Sequence, residues 1–247
     1  VEIPLESMKY RPLLVHIVLF SYSNLFSQVE EKERLESVPD TIPSVIDSLY
    51  REDQFYVGLS FNLLTNKPSA VSQSGFSGGL HLGMIRDFPL NKQRNIAIGA
   101  GVGWSINSYG QNLFIGEDMQ GETIFRSLDG IDYNNNRFTT QLVEVPIQFR
   151  WRTSSPLTYK FWRIYTGVRL GYVYYFRSHF YQTGNRVVQT QVPELDRFRL
   201  GTTFTFGYNT FNFQFYYSLN PLFSSGKVEG EDIGLSALKI GLMFYIL

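Results

Sequence analysis

Between Phe211 and Leu219 the chain reads FNFQFYYSL, with a large apolar residue at each odd position and Asn212, Gln214, Tyr216 and Ser218 at the even ones. Period two is the spacing of side chains along a β-strand whose two faces meet unlike surroundings. The same alternation recurs in seven further segments. It predicts strands over about 54–66, 75–86, 94–109, 137–152, 161–177, 197–208, 211–221 and 235–247, separated by clusters of Gly, Asn, Asp and Pro.

The connections between these segments alternate in length. Those over about 67–74, 110–136, 178–196 and 222–234 are long, whereas DFPLNKQ, TSSPLTYK and Asn209-Thr210 are short. Short turns at one rim and long loops at the other is the pattern of an outer-membrane barrel.

Parity sorts the strand residues into two series. One is bulky and apolar: Phe55, Val57, Leu59 and Phe61; Val143, Val145, Ile147, Phe149 and Trp151; the odd positions from Phe211 to Leu219; and their equivalents on the other strands. The opposite series holds Gly58, Ser60 and Asn62; His81; Gly99, Gly101 and Gly103; Gly167 and Gly171; Thr203 and Thr205; Gln214 and Lys239. An eight-stranded barrel has a bore just wide enough to be filled by side chains, and the bulky series would overfill it. The fold expected is therefore all-β, an eight-stranded antiparallel up-and-down transmembrane β-barrel with its apolar series toward lipid. A lipocalin-like barrel or a sandwich is the soluble alternative. Trp151 and Trp162 flank one short turn, as interface aromatics of a membrane barrel do, although two aromatics that merely pack together would read the same.

Composition supports strands and turns over helices: 21 Phe, 16 Tyr and 21 Gly, with only 18% of residues charged. Zero net charge leaves no basic field for nucleic acid. The absence of cysteine removes disulfides, thiolate catalysis and Cys-ligated zinc.

Candidate chemistry lies on the polar series. Glu144, Arg150, Arg152, Arg163, Arg169 and Arg199 are expected to point into the lumen, one acid among several bases, as a paired polar cluster holding the barrel together. An anion-selective path is the sharper alternative. With Arg150, Arg152 and Arg163 near the short-turn rim, an acidic segment or partner is expected to dock at a basic mouth. No GxSxG or HExxH motif occurs, and no catalytic residue, metal site or cofactor is assigned. Glu117, Asp118, Glu122, Asp129 and Asp132 in the longest loop match no EF-hand spacing.

Ahead of the first strand the chain falls into two pieces. From Met8, Lys9 and Arg11 precede an apolar stretch from Pro12 to Phe20 and a polar tail, so residues 1–27 read as a secretory signal peptide with its start at Met8. Residues 28–53 carry eight acids against three bases and read as an acidic periplasmic linker, leaving 54–247 as the barrel.

Four segments carry a family resemblance: RDFPLNKQRNIAIGAGVGW, VEVPIQFRWRTSS, FWRIYTGVRLGY and LKIGLMFYIL. Together they resemble the PorT-like outer-membrane barrels of Bacteroidota, of OmpA/OmpX-like size. The resemblance implies a non-enzymatic barrel in the outer membrane, inserted by the barrel-assembly machinery, and the alternation of loop lengths puts both termini at the short-turn, periplasmic rim. It also implies an accessory or scaffolding role, with secretion-machinery proteins of the type 9 secretion and gliding apparatus as partners. A structural or adhesive barrel unrelated to secretion is the alternative, and a narrow channel the third reading.

Overall fold

The computed structural model describes residues 53–153 and 161–246; the expected signal peptide, and the acidic linker up to residue 52, lie outside them. Among the described residues the elements in chain order are β1 (Asp53–Thr65), β2 (Gly78–Pro89), β3 (Ile96–Gly110), β4 (Leu113–Glu117), β5 (Thr123–Ser127), β6 (Asn135–Arg152) and β7 (Trp162–Gln182). They continue as β8 (Asn185–Gln189), β9 (Phe198–Tyr208), β10 (Phe211–Ser218), β11 (Lys227–Val228), β12 (Glu231–Asp232) and β13 (Ser236–Ile246).

Eight of them, β1, β2, β3, β6, β7, β9, β10 and β13, form one closed antiparallel wall. Each pairs with its sequence neighbours, and β13 closes the ring on β1 with Ile246 opposite Phe55 and Ser236 opposite Thr65. Closure leaves every wall strand paired on both sides, so no backbone edge faces an apolar surrounding. The eight predicted strands are all present. β2 runs further than its prediction, through Pro89, because the Asp-Phe-Pro cluster that signals a turn lies within the strand.

The two predicted faces are realised in the wall. Phe55, Leu59, Val102, Val143, Phe149, Trp162, Leu170, Phe204 and Phe213 point outward and are exposed, Phe55 and Val102 at 59% each. A continuous apolar girth of this kind far exceeds the few hundred Å² that a soluble monomer leaves bare. On β6 the outward series runs from Trp151 to Gln141. Ten residues at ~3.3 Å each, tilted about 40°, stand roughly 25 Å high, which matches the lipid-facing band of outer-membrane barrels.

Inside, small residues make room for large ones. Tyr56 lies over Gly83 and Gly103 on the next two strands, so that a Cβ on either would collide with its ring or hydroxyl. Tyr216 covers Gly201 in the same way. Pro146 lacks a backbone donor, and the β3–β6 ladder is interrupted at its level, between Ala100–Ile147 and Gly103–Glu144.

Above the outward band the wall changes character at one residue. β6 keeps a single parity throughout, but on β7 Tyr175 pairs with Gln141 while Val173 pairs with Leu142, leaving Tyr174 as the extra residue of a β-bulge. Past it β7 sends Phe176, Ser178 and Phe180 inward. There the interior is apolar: Tyr109, Phe138, Leu142, Val173 and Phe176 join Val71, Leu113, Ile115, Val192, Leu195, Leu222, Phe223, Val228, Ile233 and Leu235 from the loops in one buried core.

The long connections are therefore joined into a folded cap. The first and second are joined by Asn112, which accepts from the Ser72 amide at 2.7 Å and donates to the Ala70 carbonyl at 3.1 Å. Glu117 and Gln189 link the second to the third at 3.1 Å. A bridge between Leu195 and Phe223 links the third to the fourth, and Glu231 accepts from the Ser69 amide at 2.8 Å and hydroxyl at 2.7 Å to close the circuit.

Candidate functional site

The lumen-directed residues named from the sequence are all buried in the bore, but they do not form one cluster. Glu144, Arg150, Arg152, Arg163, Arg169 and Arg199 fall into three tiers, set by their distance along β6, β7 and β9.

In the tier nearest the short turns, Asp87 on β2 sits between two arginines of β6. Arg150 donates to its Oδ1, and Arg152 donates to Oδ2 at 2.7 Å. Arg150 also donates to Gln54 Oε1 at 2.9 Å and stacks over Tyr165 at 4.0 Å, while Arg152 donates to the Arg94 carbonyl at 3.0 Å. All three side chains are almost fully enclosed. Two charges sharing one carboxylate in low dielectric are stable only with such additional partners. Two expectations are corrected here. Glu144 is not the one acid of the bore, and Arg150 and Arg152 do not offer free charge to a docking segment, because Asp87 already satisfies both. Arg163 alone of the three lacks a carboxylate among the described residues; its guanidinium lies over Phe161 at 4.5 Å and Tyr245 at 5.6 Å.

The middle tier centres on Glu144. Its Oε2 is 3.5 Å from Arg169 Nη1, an ion-pair distance, and 3.9 Å from His81 Nδ1, too long for a hydrogen bond. Lys239 lies over the Tyr216 ring at 4.7 Å. His81 Nε2 is 3.0 Å from Ser60 Oγ, so Ser60, His81 and Glu144 stand in the order of a hydrolase triad. The arrangement lacks what that chemistry requires. The His–Glu separation is too long to fix the ring, and a single added carbon at Gly79 would already press on Ser60, His81 and Asn107, so no acyl group fits beside the hydroxyl.

In the upper tier Arg199 pairs with Asp196 at 3.1 Å, three residues earlier in the chain. Between this tier and the middle one, a void lined by Tyr109, Arg199, Tyr216 and Lys239 holds about 10 Å³, the room of a single water. The bore is thus filled by side chains at each level, and the cap covers its loop end.

Of the expected interface aromatics, both Trp151 and Trp162 face outward, and Trp162 packs on Tyr208 at 5.2 Å between ring centres instead of on Trp151. At the opposite end of the band Trp104 donates to the Tyr174 hydroxyl and Tyr174 to Gln141, both at 2.7 Å. In the longest loop Asp118 accepts from the amides of Gln120 and Glu122 at 2.9 Å, which makes it the turn residue of the β4–β5 hairpin.

Sequence reasoning missed Asp87, Asp196 and the cap. Asp87 was within reach, since it continues the inward series His81, Gly83 and Ile85. LFIGE and TIFRS on either side of DMQGE carry a hairpin signal inside the longest connection.

A closed eight-stranded wall, an apolar outer band bordered by aromatics and a plugged bore together define a small outer-membrane β-barrel. The chain belongs to the family described as outer membrane protein beta-barrel domain, which matches residues 26–224. No curated protein matches it. Among solved structures it is similar to Ail, the attachment invasion locus protein of Yersinia pestis, at 14% identity and a TM-score of 0.29, over 78% of this chain and 98% of that one. It is similar at 12% identity, with the same TM-score and coverage, to Ail in complex with the heparin analogue sucrose octasulfate.

Proposed function

We propose that this protein is a non-conducting, non-enzymatic scaffold of the outer membrane, whose barrel holds a folded cap at the cell surface as a contact platform for protein partners. The observation that carries this reading is the combination of a bore filled in three tiers with loops that share one buried core. A channel needs a continuous aqueous path, and side chains occupy this one. A preformed, cross-tied cap presents a surface that loses little entropy on binding.

In this reading the short-turn rim, where β1 begins and β13 ends, faces the periplasm, and the cap faces outward. The support is the asymmetry of loop lengths. The polar tiers hold the wall strands to one another, Asp87 tying β2 to β6 and Glu144 tying β6 to β7. Partners within the type 9 secretion machinery are supported by the likeness of four segments to PorT-like barrels, and adhesion to an external surface is the competing use of the same cap.

Planar-bilayer recording of the refolded protein should show no conductance above the bare membrane; stepwise openings would reject the scaffold reading. Deleting the gene should impair release of cargo bearing a type 9 secretion signal. Unimpaired release together with loss of attachment to surfaces would move the assignment to adhesion.

A further inference from the structure

Past the Tyr174 bulge, β6 and β7 continue together, with β3 paired to β6 as far as Gly110 and β8 paired to β7. The inward side of this stretch belongs to the cap core through Phe138 and Phe176. Its outward side carries Arg137, Arg177, His179 and Arg186. Arg137 stands opposite His179, Arg177 opposite Thr139, and Arg186 opposite Tyr181, so all four lie on one face within three adjacent rows.

None of the four forms an ion pair with a carboxylate of the described residues. Among the described residues the Arg137 side chain donates only to Asn135 Oδ1, at 3.2 Å, and Arg177 Nε is buried without a hydrogen-bond partner. Burial first, and then Arg186, Arg177 and Arg137, hold His179 below its ordinary pKa, so the three arginines supply most of the charge of this face. Charged side chains on a surface are normally interspersed with opposite ones. Here like charges gather without them, which costs stability unless an anion is present.

Height narrows the choice of anion. Arg177 lies three residues past Tyr174 and Arg137 four residues beyond Gln141, the two aromatic-belt partners at the top of the apolar band. At ~2.5 Å of height per tilted residue, Arg177 and Arg137 stand roughly 8–10 Å beyond the hydrocarbon, at headgroup depth, and Arg186, one row above His179, about 5 Å higher. They also point away from the barrel axis, toward where lipid headgroups lie. Within their own bounds the other wall strands place no charged residue at their outward loop-side positions, which include Thr65, Gly78, Ser108 and Phe198.

We propose that Arg137, Arg177 and Arg186, with His179 between them, bind the phosphate groups of outer-leaflet glycolipid headgroups. Arginine forks suit phosphate oxygens, and juxtamembrane basic groups contribute about 1 kcal/mol each near an anionic surface. The proposal rests on the outward orientation of the cap given above.

The test uses the full chain refolded in neutral detergent, alongside R137Q/R177Q/R186Q, with heat-modifiable migration showing that both are folded. Each is titrated with a bis-phosphorylated disaccharide glycolipid, the same glycolipid without phosphates, and a soluble sulfated polysaccharide. The expected result is saturable binding of the phosphorylated glycolipid, at least tenfold weaker in the triple variant and at least tenfold weaker for the dephosphorylated lipid. Equal binding by the variant, equal binding of the dephosphorylated lipid, or preference for the soluble polyanion overturns it. A tag inserted at Gly121 and labelled on intact cells tests orientation separately. An unlabelled tag with intact glycolipid binding in detergent rejects the orientation and with it the leaflet, whereas a labelled tag without such binding rejects the lipid site alone.

Discussion

Asp87 is the residue on which the short-turn end of the bore depends. Its two oxygens serve Arg150 and Arg152 separately, so removing its charge leaves two enclosed guanidiniums with no counter-ion. Asp87→Asn is expected to destabilise the barrel by about 3–5 kcal/mol, visible as a lowered urea midpoint for loss of heat-modifiable migration in lipid; an unchanged midpoint would show that the pairs are not load-sharing. At this scale legibility followed the strength of the local signal. Parity alone assigned Glu144 and the arginines to the inward series, because they sit well inside unbroken alternation. Asp87 escaped because Asp-Phe-Pro is also turn chemistry, and the local rule outweighed the continuing period.

At the scale of elements, strands within the apolar band could be read in full, since lipid outside and a crowded polar lumen inside impose opposite demands on neighbouring residues. The cap could not, because its core is assembled from four connections distant in sequence, and no single window shows a face. Tyr174 marks the border. Deleting Tyr174 alone would restore regular alternation with the same faces, whereas deleting Tyr174 and Tyr175 together would put Phe176 and Phe180 on the outward face and Arg177 and His179 inside. The expected outcome of the double deletion is a cap that trypsin cleaves while the Trp151 and Trp162 end of the wall stays protected, read by mass mapping of the fragments. Within the cap, Glu231 is held below the usual carboxylate range, first by the Ser69 hydroxyl and then by its amide. A depressed pKa means the contact stabilises the folded cap above the ordinary glutamate pKa and is lost as pH falls through the lower folded value. The Ser69 amide resonance should therefore titrate with a midpoint below that of a free glutamate, and the shift should vanish in Glu231→Gln.

At the scale of the whole molecule, the membrane position follows from where the outward apolar series begins and ends. Ile147, opposite Val168 near the middle of the band, is the most sensitive point. Ile147→Arg is expected to cost ~2–4 kcal/mol of folding stability in lipid vesicles, against ~0–1 for Trp151→Arg at the border, a depth dependence that a soluble barrel would not show. The eight-strand count and antiparallel order were legible because each strand pairs with its neighbour in sequence, so topology required no long-range information beyond the closing of β13 on β1.

The filled bore also determines which partner yields when the bilayer changes. A hollow tube can flatten or narrow as the surrounding membrane thins or is stretched, but ion pairs tying β2 to β6 and β6 to β7, with tyrosines wedged against glycines, act as internal struts. Thickness differences must then be absorbed by the lipids, which deform around a stiff inclusion at a cost that falls when two such inclusions share one annulus. In a membrane under lateral load this protein would therefore tend to gather with other rigid barrels, without any contact between their surfaces.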